Sequence, residues 1–67
     1  MTIGTNLKKK RQQRDLSQSE LARRSGVSVQ TINYIESGKR NPSALIIQKL
    51  AKALRCTVGE LFGEKAS

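Results

Sequence analysis

Histidine and tryptophan are absent from this 67-residue chain, and it has only one cysteine, Cys56. A single cysteine excludes an intrachain disulfide, and the lack of histidine excludes a His/Cys zinc cluster and a histidine-dependent catalytic triad. The five acidic residues are scattered along the sequence, so they form no catalytic constellation. We therefore expect no enzymatic activity, no metal and no cofactor.

Long apolar runs are missing as well. No stretch approaches the ~20 residues that a membrane-spanning helix needs, and the N-terminus lacks the apolar core of a signal peptide. We expect a cytoplasmic protein with no membrane partner, and a single domain over residues 1–67. Cys56 follows a leucine-rich segment, which favours a small half-buried apolar residue over a reactive thiol.

Acidic side chains are scarce beside basic ones. Thirteen Lys and Arg residues stand against five Asp and Glu, which gives a net charge of +8. Such an excess favours polyanionic partners such as nucleic acid. A positive surface can also serve solubility alone, so the charge by itself is weak support.

Start and stop signals predict five helices, over residues 2–13, 18–25, 29–37, 44–54 and a short one between Thr57 and Phe62. Asp15 closes the first, in a left-handed turn that aspartate tolerates better than most residues. Gly38 ends the third. The tail over 63–67 is polar and should be frayed.

The centre of the chain carries two start signals separated by a glycine turn. Ser17 with Glu20 has the spacing of a capping box, and Ser28 can cap the next helix. Between them Gly26 can adopt the left-handed conformation that ends a helix. Helix, glycine turn and second helix together form the helix-turn-helix pattern, here over 18–37.

Apolar spacing assigns a core and leaves one helix face polar. The predicted core residues are Leu16, Leu21, Val27, Ile32, Ile35, Leu50, Leu54, Val58 and Leu61. The third helix then carries Val29, Gln30, Asn33 and Tyr34 on its outer side. In isolation such an Asn-Tyr pair is usually plain surface.

LSQSELARRSGVS followed by TINYIESGKRNPS resembles the phage-repressor and Cro type of helix-turn-helix domain, the XRE family. The resemblance covers about residues 7–62, with two caps, the turn glycine and the Asn-Pro-Ser corner in the family's order. It implies an all-α fold: a compact, lambda-repressor-like bundle of five helices whose third helix enters the DNA major groove.

The resemblance also implies roles for individual residues. Those on base-reading positions are Val29, Gln30, Asn33 and Tyr34; those on backbone positions are Gln18, Ser28, Thr31, Lys39, Arg40 and Asn41. Arg11 and Glu36 match a pair that joins the first and third helices, and we expect an internal salt bridge there. Gln and Asn suit the N6/N7 edge of adenine, and no arginine reads bases, so we expect A·T-rich contacts.

The chain departs from the family pattern in three ways. Arg55 stands where a glycine usually ends the fourth helix, and Gly59 lies inside the fifth, which should weaken that part of the domain. Leu45 and Ile46 replace more polar residues; with Phe62 they are candidates for a dimer or partner surface. Alternatively, one of the first two packs beneath the N-terminal helix.

The function implied is sequence-specific binding of double-stranded DNA by a transcriptional regulator. We expect a repressor that binds a palindromic operator as a homodimer. The alternative is a protein-interaction module, such as an antitoxin-like partner, in which DNA binding is secondary. The apolar pair Leu45 and Ile46 is what motivates that alternative.

Overall fold

In a computed structural model, which describes residues 2–64, the chain forms five α-helices and that stretch contains no strand. The helices are α1 (Ile3–Gln13), α2 (Gln18–Ser25), α3 (Val29–Glu36), α4 (Ala44–Ala53) and α5 (Val58–Leu61). The all-α prediction is confirmed, and every predicted helix lies within one residue of its observed bounds.

Each helix begins at a hydroxyl side chain that accepts a hydrogen bond from the backbone amide three residues on. The caps are Thr2, Ser17, Ser28, Ser43 and Thr57. At α2 and α5 the bond is reciprocal, because Glu20 and Glu60 accept from the backbone amides of the capping residues. Both predicted capping boxes are therefore present, and each start is fixed by local chemistry.

Residues with positive φ follow all five helices, and Gly63 (φ 97°) is the one after α5. Gly26 (φ 75°) ends α2 and Gly38 (φ 79°) follows α3, as glycine allows. Asp15 (φ 56°) and Arg55 (φ 53°) adopt the same conformation despite their side chains. The prediction for Asp15 is confirmed, and Arg55 occupies a position where glycine would be less strained.

One apolar cluster joins all five helices. Its buried members are Leu7, Leu16, Leu21, Val27, Ile32, Ile35, Ile47, Leu50, Ala51, Leu54 and Leu61. The assignment of Val58 to the core was wrong, because Val58 is 37% exposed. A four-residue helix offers little inward surface, and Leu61 takes it.

The packing order brings α1 against α3 and α5, and α2 against α3 and α4. Gly4 permits the closest approach, because a Cβ there would collide with the carbonyl oxygen of Ile35. Asn6 is buried and donates from Nδ2 to the carbonyl of Leu61 at 3.0 Å, which ties α1 to α5. Lys10 Nζ adds an ion pair to Glu60 at 2.9 Å.

Beyond α5 the backbone amides of Gly63 and Glu64 donate to the carbonyls of Glu60 and Gly59. Residues 65–67 of the expected frayed tail lie outside the described residues, so fraying there stays a prediction. Over 2–64, no helix combines the length and the apolar character needed to cross a bilayer.

Candidate nucleic-acid interface

Buried side chains from α2 and α3 hold the two helices together. Leu21 of α2 and Ile32 and Ile35 of α3 are almost fully buried, and Val27 fills the turn between the helices. Gly26 makes that turn possible in a left-handed conformation. The apolar side of α3 is thereby fixed toward the core, so its other side must face solvent.

That outer side carries the four residues predicted to read bases. Val29, Gln30 and Asn33 are exposed, and Tyr34 is half-buried. At 3.6 residues per turn, the four lie within an arc of about 140° on one side of α3. The structure brings them to one surface, here called the reading face; that they bind DNA stays a prediction.

Tyr34 joins the reading face to the basic loop beyond α3. Gln30 Nε2 donates to Tyr34 Oη at 3.0 Å, and Lys39 Nζ lies 5.9 Å from the centre of the tyrosine ring. The backbone amides of Lys39 and Arg40 both donate to the carbonyl oxygen of Tyr34, at 2.9 and 3.2 Å. The loop over 39–41 is therefore held beside the reading face, with its side chains exposed.

A hydrogen-bonded chain links the reading face to the interior. Asn33 Nδ2 donates to Gln18 Oε1 at 3.4 Å, and Gln18 Nε2 donates to Glu36 Oε1 at 3.1 Å. Glu36 is in turn paired with Arg11, whose Nε lies 2.8 Å from Oε2 and whose Nη2 lies 3.0 Å from Oε1. Asn33, a predicted base-reading residue, is thus held by Gln18, a predicted backbone contact, and Gln18 is held in turn by Glu36.

Arg11 and Glu36 form the internal salt bridge expected from the sequence. Their side chains are only 11% and 4% exposed. Arg11 Nη1 also donates to the carbonyl oxygen of Leu16 at 2.7 Å, so the guanidinium is satisfied on three sides. Hydrogen bonding to Glu36 raises the pKa of Arg11 above its ordinary value, against a smaller lowering by burial. The geometry of the pair positions Gln18 at the start of α2.

Two residues that the sequence did not single out belong to this surface. A depression of about 220 Å³ is lined by Lys8, Arg11, Gln18, Asn33, Glu36 and Ser37. Ser37 lies one turn beyond Asn33, so helical periodicity extended by four residues would have found it. No sequence signal distinguishes Lys8 from its lysine neighbours, because its position depends on how α1 packs on α3.

The remaining predicted backbone contacts surround the start of α3 and the following loop. Ser28 Oγ donates to Thr31 Oγ1 at 2.8 Å and accepts from the Thr31 amide at 3.1 Å. Thr31 lines a second depression, of about 270 Å³, with Arg40, Asn41, Pro42, Ser43 and Ile46. Hydroxyl, guanidinium and amide groups are therefore placed together, and these are groups that contact phosphates in protein–DNA complexes; that they do so here stays a prediction.

The three candidates for a dimer or partner surface differ in exposure. Leu45 in the first turn of α4 is 60% exposed, and Phe62 just beyond α5 is 58% exposed. Ile46 is half-buried and packs against the core, so much of its surface is already covered. Leu45 and Phe62 remain the stronger predictions.

Other chemistry has little support in the described part of the chain. No three of its Cys, Asp and Glu residues lie close enough together to hold a metal ion. Cys56 is half-buried against the core, and this burial raises the pKa of its thiol. The interpretation of Cys56 as a small packing residue fits this position.

The helix-turn-helix family sequence model matches residues 7–61, most of the chain. The chain belongs to this family, of the phage-repressor and Cro type. It is a family of DNA-binding transcription regulators.

Relatives and a solved structure agree with this assignment. An uncharacterised HTH-type transcriptional regulator of Sinorhizobium fredii is 37% identical over 88% of this chain and 77% of its own. The HTH-type transcriptional repressor RghR of Bacillus subtilis is 44% identical to this chain. The match covers 81% of this chain and 41% of RghR. The crystal structure of the restriction-modification controller protein C.AhdI from Aeromonas hydrophila superposes with a TM-score of 0.87, at 40% identity, covering 90% of this chain and 91% of that one.

Proposed function

We propose that this helix-turn-helix protein recognises a palindromic operator as a homodimer and represses transcription, with α3 in the major groove. The observation that carries the proposal is the polar reading face of α3, backed by the chain of hydrogen bonds from Asn33 through Gln18 to Glu36. Side chains that are fixed before binding lose less conformational freedom on the DNA.

Base recognition would come from two amides and an apolar contact. Gln30 and Asn33 each present a donor and an acceptor, which match the N6/N7 edge of adenine. Val29 is exposed beside them and can contact a thymine methyl group. We therefore expect A·T pairs at the contacted positions.

Backbone contacts would come from both ends of the reading face. Gln18, Ser28 and Thr31 supply neutral donors near the start of α2 and α3. The loop residues Lys39, Arg40 and Asn41 supply charge beyond α3. Each phosphate neutralised by Lys or Arg steepens the loss of affinity with salt, so binding should weaken strongly as salt rises.

Dimerisation would let two copies read two half-sites about 34 Å apart. One recognition helix contacts too few base pairs for a selective site, so a second copy is needed. Leu45 and Phe62 offer exposed apolar surface for that contact. The repressor RghR and the controller protein C.AhdI support a regulatory role by similarity. Acting on cellular or phage DNA would place the protein in the cytoplasm.

The proposal is tested by selecting bound sites from a pool of random duplexes. We expect an inverted repeat with A·T-rich half-sites, and a duplex carrying it should bind more tightly than its scrambled version. Gln30→Ala with Asn33→Ala should abolish the preference. Gln13→Ala, an exposed glutamine at the end of α1, is the matched control. If the double variant prefers the selected site as strongly as the parent, the reading face is misassigned.

The exposure of Leu45 and Phe62 also favours a second candidate function, that of a protein-interaction module with secondary DNA binding. Two measurements distinguish a repressor dimer from an interaction module: sedimentation and operator binding of a Leu45→Ser, Phe62→Ser double variant, and site selection with the parent. For a repressor dimer, sedimentation should show a weaker dimer and the operator affinity should fall with it. For an interaction module, selection from random duplexes should yield no site that the parent prefers.

A further inference from the structure

A second basic surface lies away from the reading face, at the far ends of α2 and α4. A depression of about 510 Å³ is lined there by Arg24, Ser25, Lys49, Lys52, Ala53 and Arg55. The four cationic members, Arg24, Lys49, Lys52 and Arg55, are all exposed. They are here called the rear basic cluster.

The rear basic cluster lies at the C-terminal ends of α2 and α4, whereas Gln18 and the depression lined by Thr31 and Arg40 lie at their N-terminal ends. Gln18 is the first residue of α2 and Arg24 is next to its end, about 9 Å farther along the axis at 1.5 Å per residue. Likewise Lys52 lies in the last turn of α4, while Thr31 and Arg40 line the depression beside that helix's start. We expect a duplex bound to α3 to contact the N-terminal ends of these helices and to leave the cluster open to a second duplex.

Acidic groups do not neutralise the cluster. The ion pairs within 4.0 Å over residues 2–64 join Lys10 to Glu60 and Arg11 to Glu36. Glu20, one turn before Arg24, is the acid nearest to it in the sequence. Its carboxylate accepts from the Ser17 amide at 3.0 Å and also attracts Arg24 electrostatically, so it offsets part of that one charge. In residues 2–64 none of the four cations of the cluster is in an ion pair within 4.0 Å, and all four are exposed to solvent.

Helix dipoles explain only part of this charge. Cations near a helix C-terminus are stabilised by the carbonyl groups there, equivalent to about half a negative charge per helix. The ends of α2 and α4 together supply about one negative charge, against four positive side chains. A net positive surface remains after that effect is counted.

We propose that the rear basic cluster binds the phosphate backbone of a second DNA duplex while the reading face holds the first. A small-molecule pocket is mostly apolar, whereas Ala53 is the one apolar residue of this lining. Lys49 and Lys52 are three residues apart on one side of α4, about 4.5 Å along its axis. The protein would then bridge two DNA segments.

A capture experiment tests bridging. The duplex selected by the parent protein is fixed to beads, the protein is bound, and a fluorescent duplex of unrelated sequence is added after washing. The first binding step reports the proposed function and the second reports the rear cluster, so failure of one is distinguished from failure of the other. We expect the parent to capture the second duplex.

Lys49→Gln with Lys52→Gln removes two charges from the cluster, and Lys9→Glu lowers the net charge equally at an exposed residue of α1 outside it. We expect the first variant to keep the parent's melting temperature and operator affinity but to capture about tenfold less second duplex, with a salt slope reduced by about 1.8. Lys9→Glu should capture as the parent does.

Three results would overturn bridging through this cluster. The parent binds the operator but captures nothing; the double variant captures as well as the parent; or Lys9→Glu loses capture to the same extent, which would make net charge the cause. Tripolyphosphate gives a fourth arm. If the parent binds it saturably, the double variant does not, and neither captures duplex, the site serves a soluble polyphosphate instead.

Discussion

Arg11 and Glu36 form a two-point ion pair between α1 and α3, with Nε–Oε2 and Nη2–Oε1 distances of 2.8 and 3.0 Å. The same carboxylate accepts from Gln18, the first residue of α2. One acidic side chain therefore fixes the relative positions of three helices. The contact lies directly behind the surface proposed to bind DNA.

Removing one partner of this pair should cost far more than removing Lys10 from its more exposed, half-buried pair with Glu60. We expect Arg11→Met to lower the free energy of unfolding by about 3–5 kcal/mol, because Glu36 is left charged and buried. Lys10→Met should cost under about 1 kcal/mol, because its side chain is 32% exposed. Urea unfolding measures both.

Glu36→Leu combined with Arg11→Met should recover part of that loss, since no unpaired charge remains. The double-mutant cycle would then show a coupling between Arg11 and Glu36 of at least about 1 kcal/mol. Additive losses would show that the pair does not act as a unit.

Two glycines inside helices should respond oppositely to alanine. At Gly4 the new Cβ would meet the backbone carbonyl of Ile35, which cannot move without separating α1 from α3. We expect Gly4→Ala to destabilise the fold by about 1–3 kcal/mol. At Gly59 the new Cβ would meet only the flexible carboxylate end of Glu64. There we expect a gain of about 0.5–1 kcal/mol from helix propensity.

Thermal unfolding of the two alanine variants, with the parent beside them, provides the measurement. Each variant controls for the other, because the substitution is identical and only the space around it differs. A tolerated Gly4→Ala would mean that α1 can shift on α3, which the contact between Arg11 and Glu36 opposes.

Helix boundaries could be predicted to within one residue because their causes are local. Ser17, Ser28 and Thr57 bond to amides three residues away, which spacing alone reveals. Asp15 and Gly26 end segments by their own backbone preferences. Nothing in these interactions depends on the rest of the fold.

Contacts between helices could be predicted only where a family pattern supplied them. The salt bridge of Arg11 with Glu36 came from the resemblance, because the two residues are far apart in the sequence. The bond of Asn6 to the carbonyl of Leu61 had no such guide, and neither did the position of Lys8. Val58 was misassigned because apolar spacing does not show how little of a four-residue helix is buried.

Acid should destabilise the protein through its two capping boxes. The hydrogen bond from the Ser17 amide, followed by that from the Ser17 side chain, lowers the pKa of Glu20. The hydrogen bond from Lys10, followed by that from the Thr57 amide, lowers the pKa of Glu60. A lowered pKa means that the folded state binds fewer protons than the unfolded one. This stability is present above the ordinary glutamate value of about 4.3 and is lost as pH falls through the lowered pKa.

Urea unfolding across pH should show a plateau from about 5.5 to 8, because the chain has no histidine to titrate there. Below about pH 4.5 stability should fall. Glu60→Gln should be less stable than the parent at pH 7, and the difference should shrink in acid. An equal difference at both ends of the range would contradict the proposed linkage.

Raising the pH through the elevated pKa of the Cys56 thiol should also reduce stability.

Arg40 and Asn33 should affect DNA binding in distinct ways. Arg40→Gln would remove the proposed phosphate contact, so affinity should fall similarly for all sequences and the salt slope should decrease by about 0.9. Asn33→Ala should cost about 1–3 kcal/mol on the selected site and relax the preference at a single base pair. Titrations of the selected duplex and of duplexes changed at each position, at several salt concentrations, separate the two effects.

Gln18 should combine a backbone role with a positioning role, because its Oε1 accepts from Asn33 and its Nε2 donates to Glu36. Gln18→Ala should weaken binding to all duplexes without changing the salt slope, since the side chain is neutral. It should also reduce the discrimination contributed by Asn33, so that the losses of Gln18→Ala and Asn33→Ala are not additive. Additive losses would mean that the 3.4 Å contact does not position Asn33 on the DNA. The reading face would then depend on α3 alone.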